Sequence, residues 1–136
     1  MLKVRIEKQF SAAAEAVWQV LRSFELKYFK NYPFTITGSG VGAERSFALP
    51  QGEMTERITA FSDPDMSLSY TIVKGPWPVK NYTASIQVAA AGEGCNVTWS
   101  AKFETDSEDA EDTAEMVAGT FKMNLRAIEK FISSTK

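Results

Sequence analysis

The chain has no histidine and only one cysteine, Cys95. Without histidine there is no Ser-His-Asp or Cys-His activation of a nucleophile, and with one thiol the usual zinc ligand sets are out of reach as well. A lone cysteine also excludes an internal disulfide and fits a reducing compartment. Long apolar runs are missing too: none approaches the ~18 residues of a membrane span. Met1-Leu2-Lys3-Val4-Arg5 lacks the apolar core and cleavage site of a secretory signal, so the expectation is a cytoplasmic protein with no membrane insertion. Charge of one sign is not segregated. A formal charge of -2, with acidic and basic residues interspersed, offers no electrostatic footprint for nucleic acid. Any chemistry must therefore come from carboxylates, Arg, Lys, Tyr or a bound water, and no cofactor or metal is called for.

What the chain does have is one dominant helix. From Glu108 to Ile132, apolar residues fall at Ala110, Ala114, Val117, Phe121, Leu125, Ile128 and Ile132, the period of a single helix face. Glu108, Asp109, Glu111 and Asp112 open it and Lys130 stands in its last turn, which suits the macrodipole. Met116, Ala118, Met123, Ala127 and Phe131 widen the apolar arc to roughly 200°, about twice what a surface helix needs. Such a helix must be gripped. Inside the arc lie Thr113, Thr120 and Asn124, which a purely structural core has little reason to hold, and they point to a cavity. Gly119, mid-helix, is read as a bend over that cavity.

At 136 residues the chain fits one domain spanning 1–136. Leu2, Val4 and Ile6 alternate with charged residues as in a half-buried strand ending near Phe10. Ser11 reads as the N-cap of a first helix that ends near Ser23, and a second short helical piece is expected over Leu26–Phe29, stopped before Pro33. From Phe34 to Thr105 the signals are strands and tight turns at antiparallel spacing. The inner rows are Ala43, Arg45, Phe47 and Leu49; Met54, Glu56, Ile58 and Ala60; Leu68, Tyr70 and Ile72; Tyr82, Ala84, Ile86 and Val88; and Val97, Trp99, Ala101 and Phe103. A Gln51-Gly52 hairpin loop would set Leu49 against Met54 and leave Arg45 and Glu56 diagonal neighbours on the inner face. The predicted class is α+β: a helix-grip fold, with a seven-stranded antiparallel sheet wrapped around the long C-terminal helix and two short helices closing one end.

Several runs carry a family resemblance: Gly42-Ala43-Glu44-Arg45, Thr55-Glu56-Arg57-Ile58, Leu68-Ser69-Tyr70-Thr71-Ile72 and Pro78-Val79-Lys80-Asn81-Tyr82-Thr83-Ala84, with Trp99 downstream and Val17-Trp18 in the first helix. Together they resemble the START/birch-pollen-allergen (SRPBCC) superfamily, and within it the polyketide cyclase/dehydrase branch. That resemblance implies one internal cavity, which the superfamily reuses for lipids, hormones, polyketides and enzymatic rearrangements. Arg45 and Glu56 are also similar to an arginine and a glutamate that lachrymatory-factor synthase uses.

The candidate residues each carry two readings. An inward Glu56 among Met54, Ile58 and Tyr70 must be paired, wet or protonated, and it serves either as a general acid/base or as the partner of Arg45 in a structural ion pair. Arg45 correspondingly either stabilises an oxyanion or only balances Glu56. Tyr70, Tyr82 and Trp99 are pocket walls or plain core with satisfied polar tips. Trp77, held between Pro76 and Pro78, is a mouth residue or packs onto the first helices. Thr120 and Asn124 face a ligand, or else the hydroxyl bonds back to its own helix and the amide is held by buried water.

Two functions follow: binding of a small, mostly hydrophobic molecule, or a cyclase, dehydratase or isomerase using Glu56 and Arg45. A client-binding role is a third expectation, and monomer and homodimer stay open.

Overall fold

The computed structural model describes residues 1–134. In order the chain forms β1 (Leu2–Phe10), α1 (Ala14–Arg22), β2 (Phe34–Thr37), β3 (Glu44–Leu49), β4 (Gly52–Ser62), β5 (Ser67–Lys74), β6 (Lys80–Ala91), β7 (Gly94–Glu104) and α2 (Ala110–Ser134). All strands join one sheet in the order β1-β7-β6-β5-β4-β3-β2, with every pairing antiparallel. This is the helix-grip arrangement, the sheet wrapped around α2.

Local chemistry accounts for the departures from expectation. α1 begins after Ala13, without a side-chain cap, so Ser11 is not its N-cap. The second short helix is realised as a single turn, Phe29 N–H donating to Leu26 C=O at 3.0 Å. One helix and an aromatic turn therefore close the end where two helices were expected. α2 runs two residues further than its apolar pattern, which leaves Lys130 short of the last turn. Gly119 faces solvent, with nothing within 4 Å of where a Cβ would stand, so it is not a bend over the cavity.

The solid part of the core lies where α2 meets β1 and α1. Val117, Phe121, Leu125 and Ile128 sit there on one helix face, and Trp99 stacks on Phe121 with ring centroids 5.3 Å apart. Burying each such side chain contributes about 1.5–3 kcal/mol. α1 is pinned to the turn after β4 by Asp63, whose carboxylate accepts from Trp18 Nε1 at 2.8 Å and from Arg22 Nε at 2.8 Å.

Candidate functional site

The site is set by the β3–β4 hairpin. Its loop is Pro50-Gln51, with Leu49 opposite Gly52, Phe47 opposite Met54 and Arg45 directly opposite Glu56. The loop thus lies one residue earlier than the expected Gln51-Gly52, which moves the strand register by two. Proline lacks an N–H for the ladder, so Pro50 is better placed in the loop than in the strand. A shift of two keeps every side chain on its face, and Arg45 and Glu56 still point inward, now as direct cross-strand neighbours. Irregularities in the β4–β5 pairing flank Glu56, between Thr55 and Glu56 and between Ile58 and Ala60. The second ends the alternation, so Ala60 is exposed where an inner position was expected.

Arg45 and Glu56 are each 5% exposed, and Arg45 Nε donates to Glu56 Oε1 at 2.7 Å. Arg45 Nη1 also donates to the carbonyl of Phe24 at 3.2 Å, while its Cζ lies 3.9 Å from the centroid of the Phe24 ring and 5.3 Å from that of Tyr70. Phe24 makes both contacts from a left-handed backbone, φ 61°, just past the end of α1. A bulky residue rarely adopts this conformation, and here it turns ring and carbonyl onto the guanidinium. Burial alone would pull the Arg45 guanidinium down, but the Glu56 carboxylate, with Tyr28 and Tyr70, holds it above its ordinary value. Burial pushes the Tyr28 phenol up to about 12 and raises Tyr70 and Tyr82 as well. The Tyr70 hydroxyl oxygen accepts from Trp99 Nε1–H at 3.0 Å. The buried hydroxyls of Tyr28 and Tyr82 have no hydrogen-bond partner among the described residues.

Between this wall and α2 lies a cavity of about 240 Å³. Arg45, Phe47, Leu49, Met54, Glu56 and Tyr70 line it from the sheet, and Met116, Thr120, Phe121, Met123 and Asn124 from α2. Leu26, Phe29 and Tyr32 close it from the segment after α1, and Trp77 and Gln51 from two loops. Six of the eight sequence candidates therefore share one space: Arg45, Glu56, Tyr70, Trp77, Thr120 and Asn124. Tyr82 and Trp99 do not reach it. Tyr82 packs behind Tyr70, between Trp77 and Phe103, and Trp99 is held between Tyr70 and Phe121. Trp77 rests its indole edge-on against Tyr82, centroids 6.0 Å apart, rather than on the first helix.

On the helix wall, Thr120 Oγ1 donates to Met116 C=O and Asn124 Nδ2 to Thr120 C=O, both at 2.9 Å. The helix takes up the Thr120 hydroxyl proton and one of the two Asn124 amide N–H groups, leaving both side-chain oxygens as acceptors. Thr113, the third polar residue of the arc, bonds back to Asp109 C=O and does not line the cavity.

Sequence reasoning missed Phe29 and Tyr32, which it assigned to a short helix and its end. The available signal was aromatic density: Tyr28, Phe29, Tyr32 and Phe47 form a continuous chain of ring contacts, and the Tyr32 hydroxyl donates to Ala48 C=O of β3. Among the described residues no group of three or more His, Cys, Asp or Glu is arranged to hold a metal ion, and no helix is long and apolar enough to cross a membrane.

A helix-grip sheet holding a lined cavity against its terminal helix defines the class of protein. The chain belongs to the polyketide cyclase / dehydrase and lipid transport family, whose sequence pattern matches residues 1–131. Solved structures agree. A protein from Bacillus thuringiensis is 25% identical, with 96% of this chain and 98% of that one covered and a TM-score of 0.83. The protein XoxI from Bacillus cereus is 26% identical over 96% and 94%, also at 0.83. Norcoclaurine synthase from Thalictrum flavum, solved with dopamine and hydroxybenzaldehyde, shares the fold at 18% identity, 99% and 88% coverage and a TM-score of 0.83.

Proposed function

We propose that the protein binds a small, mostly hydrophobic molecule, such as a lipid or polyketide, in the cavity between β3–β5 and α2. The observation that carries this reading is a wall apolar except for one paired acid and base and a few hydroxyl and amide groups. That is the composition of a pocket in which apolar area supplies affinity and a few polar groups set orientation. Family membership supports the same class of role. Thr120 stands on the cavity wall and is half-buried, so Thr120→Trp should fill the space without disturbing the solid flank of the helix. Native mass spectrometry of protein purified from its own host should show a co-purifying small molecule that the Thr120→Trp variant lacks. A guest retained by that folded variant would place binding elsewhere.

A second reading is a cyclase or dehydratase in which Glu56 moves a proton and Arg45 holds an oxyanion; both groups line the cavity, which favours it. The 2.7 Å pairing weighs against it. A Glu56 that accepts a proton leaves a buried guanidinium unpaired, at a cost of about 3–5 kcal/mol. If the enzyme reading holds, Glu56→Gln abolishes turnover while ligand affinity stays within about tenfold, ~1.4 kcal/mol.

A further inference from the structure

We infer that Glu56 sets the charge specificity of the cavity: by neutralising Arg45 it makes the space select uncharged molecules with a hydroxyl tip over carboxylates of the same shape. This rests on the proposal that the cavity binds a small apolar guest, and it names the class of that guest.

Arg45 and Glu56 are the only ionised side chains among the described residues lining the cavity, and they cancel. An incoming carboxylate finds the one available cation already taken. Arg45 cannot swing toward it without leaving the Phe24 carbonyl and the Phe24 ring, so the guanidinium stays with Glu56. A carboxylate brought beside the pair would put two anions against one cation where both existing charges are only 5% exposed and repulsion is poorly screened. An uncharged hydroxyl meets no such penalty. On the opposite wall Thr120 has given its one hydroxyl proton to the helix and Asn124 one of its two amide N–H groups, so the pair can offer a guest two oxygen acceptors and one remaining N–H donor. A polar tip that both donates and accepts, an alcohol or a phenol, is what these groups can satisfy.

The test uses the full chain and three probes of one shape: 2-naphthol, 2-naphthoate and 2-naphthylmethylammonium, titrated by calorimetry at pH 7. The wild-type protein should bind naphthol at least about tenfold more tightly than either ion. Glu56→Gln, which leaves Arg45 charged and unbalanced, should reverse the order and favour naphthoate over naphthol. Wild-type protein that binds naphthoate as tightly as naphthol overturns the inference and leaves the cavity reading intact, as does a folded Glu56→Gln variant with an unchanged order. Failure of all three probes to bind folded wild-type protein overturns the cavity reading and the inference with it.

Should Glu56→Gln not fold, the wild-type series is repeated at pH 7 and pH 5. Naphthoate should then bind more tightly at the lower pH, as the uncharged acid becomes available, while naphthol does not change. Naphthoate affinity that stays level would overturn the inference.

Discussion

The two flanks of α2 meet different surroundings. Toward β1 and β7 the helix presents Val117, Leu125 and Ile128, none more than 1% exposed, against a filled core. Toward β3 and β4 it presents Met116 and Thr120, half-buried, and Met123, 52% exposed, across a cavity of about 240 Å³. The solid flank fixes the helix in place, which relieves the other of any need to be filled. The hollow is also not a packing defect, since its far wall carries a buried ion pair that closer packing would have had to displace.

That contrast can be broken or sharpened by mutation. The largest effect is expected on the hollow side: Glu56→Ala strands the Arg45 charge and should destabilise by about 3–5 kcal/mol in urea unfolding, whereas Arg45→Met with Glu56→Met should stay near the parent. A neutral Glu56→Ala would mean that water already screens the pair. Next, Leu125→Ala on the solid flank should cost about 2–5 kcal/mol, and Met116→Ala across from it less than about 1 kcal/mol, because only the first leaves a new void. Comparable losses would erase the distinction.

The buried tyrosines give a pH-dependent test. In the folded protein the Tyr28 phenol ionises near 12, above its ordinary value of 10.0, so the unfolded chain loses its proton first. The stability involved is intact below pH 10 and falls as pH rises through 12. The loss should be on the order of 2–3 kcal/mol for Tyr28 alone, measured as unfolding free energy against pH alongside phenolate absorbance. The smallest effect concerns neither flank: Gly119→Ala, on the solvent side of α2, should stabilise by about 0.5–1 kcal/mol and leave probe binding unchanged.

Much of this was legible in the sequence, for identifiable reasons. Period-two and period-3.6 patterns report which face a side chain takes, so the α+β helix-grip architecture, the seven strands and the inward aim of Arg45 and Glu56 could be read directly. Patterns do not report depth. Tyr70 and Trp99 alternate inward alike, yet one lines the cavity and the other lies behind it, because the position of α2 above the sheet decides which inner residues are covered. Nor do they report register: a loop one residue off shifts the strand pairing by two, a difference that leaves facing unchanged and so gives no warning. The Leu26–Pro33 segment has no period at all. Its aromatic residues are placed by contacts with β3 and with one another.

The pairing of β1 with β7 has a consequence for how the molecule is made. Residue 2 lies beside residue 103 and residue 10 beside residue 95, so the first strand of this sheet to be made waits for the last strand of the sheet. Until then its amides and carbonyls have no ladder, although the β2–β5 meander can already assemble from neighbours close in the chain. Closing so long a loop is slow, and folding is expected on the millisecond-to-second scale of non-local β topologies rather than in microseconds. The nascent edge lacks its cover until β7 has been made, and it is there that a growing chain is most open to pairing with the wrong neighbour.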